Sequence, residues 1–317
     1  HSEYSISDSL IRINDLIEKV SETNSPSVSI TDHNNIFSLV KFYKLAIKKG
    51  VKPIIGIEVD MIDSTESNKS FRVVLLCKNM LGFNNLSNLI TDSYVNLNES
   101  NKFLVSKEEL AKRSEGLIAL SGGIYGDLAN SLRSGNEVLI NSSISYWKKN
   151  FPESFYIEVT RTGKDFEDEY ISHAIEISEK HNIPIVASND VRFINKKDYQ
   201  AHEVRVCINN GSYLKDEKRK SEYNENQYLK SSEEMQELFS DIPSAVENSC
   251  EIAKRCNVQL ALGDIAMPIF PLENAQNENE YFESLVKLSL NKKLADKNIK
   301  NKEPYLKRIK TELSVIV

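Results

Sequence analysis

Five short stretches of this chain, mostly at the end of an apolar run, carry groups able to bind a metal or to stand where such a group would: His1, Thr31-Asp32-His33, Gly56-Ile57-Glu58, Ser121-Gly122-Gly123 and Asn189-Asp190-Val191-Arg192. Polar groups at the ends of successive apolar runs must converge on one place or be buried at a cost. The architecture that brings them together is a sheet whose strands end at a common mouth. The runs themselves are β-branched, and strands are expected over 27–31, 53–62, 72–77, 117–120, 155–160 and 184–187.

Stretches of helical period lie between them, at 36–49, 136–149, 165–180 and 243–256, the last opened by a proline in its first turn. In 36–49 the residues Ile36, Phe37, Val40, Tyr43, Leu45 and Ile47 form a broad apolar face. Alternation of this length favours a parallel α/β barrel or an open doubly wound sheet. From 213 to 228 runs a charge-dense stretch without periodicity, a long loop that is either mobile or draped over a neighbour. After Pro268 and Pro271 the acidic, Asn-rich segment 273–280 reads as a linker, followed by helices at 281–293 and 305–317. The expected domains are 1–272 and 273–317.

Charge and composition exclude several functions. The net charge of −6 argues against a domain that holds duplex DNA by itself. One stretch, 291–310, has eight basic residues against two acidic ones; it reads as a solvated helical surface, with contact to nucleic acid or an acidic partner as the sharper alternative. No apolar run approaches the roughly 18–20 residues of a membrane span. Cys77, Cys207, Cys250 and Cys256 form no CxxC pair, and a reducing cytoplasm fits them best. Cys250 and Cys256 are expected to pack within a helix. His173 and His181 read as surface residues. Phe37, Phe42, Tyr43, Trp147, Phe151, Phe155 and Tyr156 read as packing rather than as a base-stacking platform. No Gly-rich phosphate loop followed by Lys-Ser/Thr is present. The chain opens on a candidate ligand and stops in the apolar stretch 313–317, and it is expected to be a piece of something longer.

Taken in order, the motifs resemble a known family. His1-Ser2-Glu3-Tyr4-Ser5-Ile6-Ser7-Asp8 resembles the opening His-x-His motif of PHP (polymerase and histidinol phosphatase) domains, with His1 as its second histidine. Ile30-Thr31-Asp32-His33 resembles the second motif, and Lys52-Pro53-Ile54-Ile55-Gly56-Ile57-Glu58 the strand with a glutamate ligand. Gly116-Leu117-Ile118-Ala119-Leu120-Ser121-Gly122-Gly123, Ala187-Ser188-Asn189-Asp190-Val191-Arg192-Phe193 and Ala201-His202-Glu203-Val204-Arg205 follow in order. The set is similar to the PHP domains that open bacterial DNA polymerase III α subunits.

The resemblance implies a distorted seven-stranded (β/α) PHP barrel with a C-terminal helical extension, and in intact members a metal cluster that hydrolyses phosphoesters. Carried over residue by residue, His1, Asp8, His33, Glu58 and Asp190 keep a competent ligand. Arg72 and Arg192 stand where histidines are expected, and Gly123 where a cysteine or histidine is expected, with Asp32 and His202 as pocket neighbours. A guanidinium has no lone pair to give and is permanently charged, so it cannot ligate a metal and repels one. The site is therefore expected to be degenerate, with no metal and no cofactor in this piece. Arg72 and Arg192 are expected to pair with Glu58, Asp190, Asp32 or Asp8, or to take up a phosphate-like anion. The family further implies a proofreading exonuclease subunit and other replicase subunits as partners, and DNA reached through the parent chain. It also implies magnesium in a polymerase core that lies in the parent chain, outside these residues. The alternative is an active metal-dependent phosphoesterase or 3′-5′ exonuclease.

Overall fold

The computed structural model describes residues 1–63, 70–97, 103–216, 219, 221–265, 267–272 and 277–317. Residues 217, 218 and 220 of the expected loop and 273–276 of the expected linker lie outside the described residues. The chain forms two compact units, His1–Leu260 and Ala261–Val317.

The first unit is built on seven strands, β1 (Ser27–Ile30), β2 (Lys52–Ile62), β3 (Ser70–Cys77), β4 (Val105–Ser106), β5 (Leu117–Leu120), β6 (Phe155–Val159) and β7 (Ile185–Ala187). In space they run β1-β2-β3-β5-β6-β7, with β4 paired to the end of β2. Seven strands form the sheet of the expected distorted α/β barrel, and the distortion lies at β3, which is antiparallel to both β2 and β5. A parallel crossover needs about a dozen residues. The connection over 63–69 is shorter than that, so β3 turns back on β2.

Around the sheet lie α1 (Ile13–Glu22), α2 (Leu39–Lys48), α3 (Met80–Val95), α4 (Lys107–Lys112), α5 (Asp127–Ser134), α6 (Glu137–Asn150), α7 (Glu167–His181), α8 (Tyr199–Asn210), α9 (Ser232–Leu238) and α10 (Pro243–Arg255).

The two-residue period of a strand divides its side chains between two cores. Ile55, Ile57, Val59 and Met61 of β2 and Phe71, Val73, Leu75 and Cys77 of β3 join the helical layer, with Leu86, Trp147 and Tyr170. The alternate residues Ile54, Val74, Leu76, Ile118, Leu120, Tyr156 and Val186 form a separate inner cluster, closed by Ile252 and Cys256. One cluster shared by β2, β3, β5, β6 and β7 requires a curled sheet. Its floor is apolar. Further along the same faces stand Glu58, Asp60, Arg72 and Glu158, which make the mouth polar.

Among the described residues β1 and β7 share no ladder. Irregular chain fills the gap instead: Leu10 N donates to Arg192 O at 3.0 Å and Leu229 N to Phe193 O at 3.1 Å. Val191, Ile194 and Leu229 pack there against Ile11, Leu16 and Ile30.

Three packing expectations are corrected. In α2 the buried residues are Leu39, Phe42 and Ala46, whereas Phe37, Val40 and Ile47 are exposed. Both sets fit helical spacing, and only contact with α1 and β2 chooses between them. Phe37 is therefore not a packing residue. Cys250 lies exposed on α10, while Cys256 is buried.

The second unit contains α11 (Glu278–Asp296) and α12 (Glu303–Ile316). Asn277 caps α11 through Asn279 N at 3.0 Å, and Pro304 occupies the first turn of α12. The basic side chains of 291–310 are all exposed. Among the described residues no helix is long and apolar enough to cross a membrane.

Candidate functional site

Strand register assembles half of the mouth. β2 and β3 place Glu58 opposite Val74 and Asp60 opposite Arg72, so Arg72 faces Asp60 directly and Glu58 diagonally on one sheet face. Its guanidinium lies 3.3 Å from Glu58 Oε2 and 3.7 Å from Asp60 Oδ1. Beyond β1 the chain stays alongside β2, where His33 forms a bridge with Glu58. His33 Nε2 sits 3.0 Å from Asp60 Oδ2 and Nδ1 3.7 Å from Asp8 Oδ2. His1 Nε2 lies 3.5 Å from Glu58 Oε2.

The turn after β7 supplies the other half. Asp190 Oδ1 accepts from Arg192 Nε at 2.7 Å and from NH2 at 2.6 Å. Its Oδ2 accepts from Lys164 Nζ at 3.1 Å and Gln227 Nε2 at 2.6 Å. Arg192 NH1 reaches Asp8 Oδ2 at 3.5 Å, and Asp8 Oδ1 also accepts from Tyr223 OH at 2.8 Å. Arg192 is only 1% exposed, a buried guanidinium held between two carboxylates.

His1, Asp8, His33, Glu58 and Asp190 thus meet at one mouth, together with Arg72 and Arg192. Gly123 is there too, beside Gly122, and both have positive φ, +55° and +76°. A Cβ on Gly122 would stand 2.1 Å from Arg72 O, whereas one on Gly123 would meet nothing closer than 3.9 Å. Gly122 is a close backbone contact, and Gly123 leaves unfilled space.

Asp32 corrects one expectation. Its carboxylate accepts from Ser2 N at 2.6 Å, Ser2 Oγ at 2.8 Å, Ser5 Oγ at 2.7 Å and Ser38 Oγ at 2.6 Å. These donors saturate it, so it pairs with neither arginine and instead ties the first residues to β1. His202, on α8, stands behind Asp8, with Nε2 3.0 Å from Asp8 O and its ring edge-on to Tyr223.

Five contributors escaped sequence reading: Asp60, Glu158, Lys164, Tyr223 and Gln227. Asp60 is two residues from Glu58, and strand period alone places it on the same face. Lys164 has no such signal. Its loop is wound around the buried Glu167 carboxylate, which accepts from Thr160 Oγ1 at 2.9 Å, Thr162 N at 2.7 Å, Thr162 Oγ1 at 2.7 Å, Gly163 N at 2.8 Å and Lys164 N at 3.2 Å. Tyr223 and Gln227 come from the stretch read as a long loop. Gln227 is 0% exposed, so this end of the loop belongs to the site. His173 and His181 do not line the mouth.

The electrostatics follow the geometry. Burial alone would raise the Asp190 carboxyl, but the charges of Arg192 and Lys164 overcome it and hold the group far below the usual carboxylate range. Burial likewise opposes the charge on Arg192, and Asp190, Glu58 and Asp8 more than restore it. Asp60 is drawn down against burial by its hydrogen bond to His33. Among the described residues Glu158 forms no ion pair. Burial, with the charges of Glu58 and Asp190 adding, pushes it up to about 7, despite a 2.5 Å hydrogen bond from Ser188 Oγ.

The mouth opens on a cavity of about 240 Å³ lined by His1, Glu58, Glu158, Lys164 and Asp190 over an apolar base that includes Leu76 and Leu120. The donor set does not fit a metal centre. Both oxygens of Asp190 and both of Asp8 are already engaged, and Glu58 Oε2 lies between His1 and Arg72. Among the described residues no group of three or more His, Cys, Asp or Glu side chains is arranged to hold an ion. A guanidinium 4 Å from a divalent cation would repel it by about 8 kcal/mol at an effective dielectric near 20. Nor are Arg72 and Arg192 open forks for an anion, since each already lies between two carboxylates.

The profile of the PHP domain family matches residues 1–162. In an alignment of 325 positions that covers all of this chain, the sequence is 38% identical to DNA polymerase III subunit alpha of Pseudomonas aeruginosa, of which 28% is covered. The same subunit of Escherichia coli K12 is 38% identical over 322 residues, again all of this chain and 28% of the relative. That of Vibrio cholerae is 40% identical over 271 residues, 86% of this chain and 23% of the relative. The chain therefore spans less than a third of the length of these relatives. Similar throughout to the N-terminal region of DNA polymerase III α subunits, the chain belongs to the PHP domain family.

Proposed function

We propose that this chain is the PHP region of a replicative DNA polymerase III α subunit in which side-chain cations have replaced the metal cluster. The domain then acts as a cytoplasmic scaffold and not as a phosphoesterase. The observation that carries this reading is Arg192, a fully buried guanidinium locked onto Asp190 where a metal ligand would stand. Polymerisation and its magnesium ions belong to residues outside this chain. A domain freed from its own hydrolytic chemistry is suited to hold other subunits, and we assign it docking of a separate proofreading exonuclease. Gel filtration of the purified chain with that subunit tests this: co-elution supports the docking role, and separate elution of two folded proteins removes it.

One observation favours a second reading. His1, Asp8, His33, Glu58 and Asp190 converge, and such donors are the raw material of a metal-dependent phosphoesterase. That reading requires near-stoichiometric zinc or manganese by elemental analysis and hydrolysis of a 3′-labelled strand by the parent protein. Without both, it fails.

A further inference from the structure

The opposite end of the barrel has the reverse charge pattern. Lys78, the residue after β3, donates from Nζ to Ser154 Oγ at 3.0 Å, and Arg255, the last residue of α10, donates from NH2 to the same oxygen at 3.0 Å. Because both bonds end on one oxygen, the two cationic nitrogens lie within about 6 Å of each other. Arg255 NH1 donates to Tyr156 OH at 2.8 Å. Lys52 Nζ donates to Ala253 O at 2.6 Å and Asn257 Oδ1 at 2.9 Å, and Asn257 N donates to Lys78 O at 2.7 Å. All three cations surround the buried Cys256.

Every acceptor here is neutral. Among the described residues no carboxylate forms an ion pair with Lys52, Lys78 or Arg255, and only the Cys256 thiol and the more distant Glu115 favour the charge on Lys78. Hydroxyl, phenol and carbonyl acceptors do not cancel like-charge repulsion. Lysine offers three donors and arginine five, so Lys78 and Arg255 retain N–H groups beyond these bonds. The preference of a helix C-terminus for cations accounts for Lys52, which bonds a carbonyl of α10. It does not account for Lys78, whose bond is to Ser154. Burial and the charge of Arg255 hold the Lys78 ammonium below its ordinary value, as expected for a cation without a counter-ion. A groove of about 590 Å³ opens alongside, lined by Tyr43, Lys52, Cys256 and Asn257.

We propose that the end of the barrel opposite the mouth binds a phosphate-type oxyanion between the Lys78 ammonium and the Arg255 guanidinium, with Lys52 at the edge of the groove. The geometry suits a tetrahedral oxyanion because the guanidinium presents a fork and the ammonium a point charge. The anion is either free phosphate or a phosphodiester of a nucleic-acid strand.

The test uses the 317-residue chain, titrated with sodium phosphate against sodium chloride at matched ionic strength. Melting temperature and ³¹P line width are followed together. The native chain gains thermal stability specifically with phosphate and broadens the ³¹P line, and Lys78→Gln binds phosphate about tenfold more weakly. A merely structural tether would lower the melting temperature of Lys78→Gln equally in both salts. Identical phosphate responses in native chain and Lys78→Gln, or no difference between phosphate and chloride, overturn the proposal. Arg255→Lys, which keeps the charge and loses the fork, gives a second reading with the same expected direction. Fluorescence anisotropy with a labelled oligothymidylate distinguishes the sources. Binding that phosphate displaces and Lys78→Gln weakens identifies a strand, and phosphate binding alone identifies the free anion.

Discussion

Asp190 Oδ1 accepts both Nε and NH2 of Arg192, two residues further along the same turn, at 2.7 and 2.6 Å. Two residues of one turn thus form a deeply buried ion pair. Removing one partner leaves an uncompensated buried charge, so Arg192→Met should lower unfolding free energy by about 3–5 kcal/mol. The double change Asp190→Leu with Arg192→Met should recover part of that loss, because replacing both charges by apolar groups removes the desolvation cost as well. Urea denaturation of the two variants is the measurement.

Metal binding should be restorable by removing cations and adding donors. Arg72→His, Gly123→Cys and Arg192→His together, with Lys164→Gln to clear the cavity, should bind zinc near stoichiometrically where the native chain does not. Elemental analysis after gel filtration reads this directly. A chelator should lower the melting temperature of the variant only, since a ligand bound to the folded state alone stabilises it by mass action.

Glu158 makes stability depend on pH in a defined direction. Its folded value of about 7 lies above its ordinary 4.5, so the fold keeps a proton that the unfolded chain releases. Its contribution is therefore complete below pH 4.5, falls as pH rises from there to about 7, and stays reduced above. Glu158→Gln should match the native chain near pH 4.5 and exceed it at pH 8 by up to about 3 kcal/mol. Equal stability of the two proteins at both pH values would dispose of this account.

The adjacent glycines should respond differently to alanine. Both pay about 1–2 kcal/mol for a side chain in the left-handed region. Gly123→Ala should cost little more, because its Cβ enters free space. Gly122→Ala drives a methyl against Arg72 O, so β3 must shift and take Arg72 off Glu58. Its loss should be clearly larger, by thermal melting.

The strands, and the residues His1, Asp8, His33, Glu58 and Asp190 that meet at their mouth, were legible because both rest on local pattern. β-Branched runs gave six strands to within two residues, and most of the polar groups stood at or near the end of a run. What was not legible rests on non-local contact. β4 is two residues long and exists only because β2 is beside it. The two faces available to α2 have equal spacing. Lys164 reaches Asp190 only because Glu167 shapes its loop, and Tyr223 and Gln227 are separated from Asp8 and Asp190 by long stretches of chain. The reversal of β3 could have been read from the short connection that precedes it.

Among the described residues β1 and β7 share no ladder, and this has a consequence for how the molecule tolerates change. The backbone of Arg192 accepts from Ser9 Oγ and Leu10 N and donates to Gln227 O, while its side chain neutralises Asp190 and Asp8. One residue is thus both the clasp of the cylinder and the central ion of its mouth. Loosening the charges and unfastening the seam become a single event, and amide exchange at Leu10, Arg192 and Leu229 should accelerate together whenever either is disturbed.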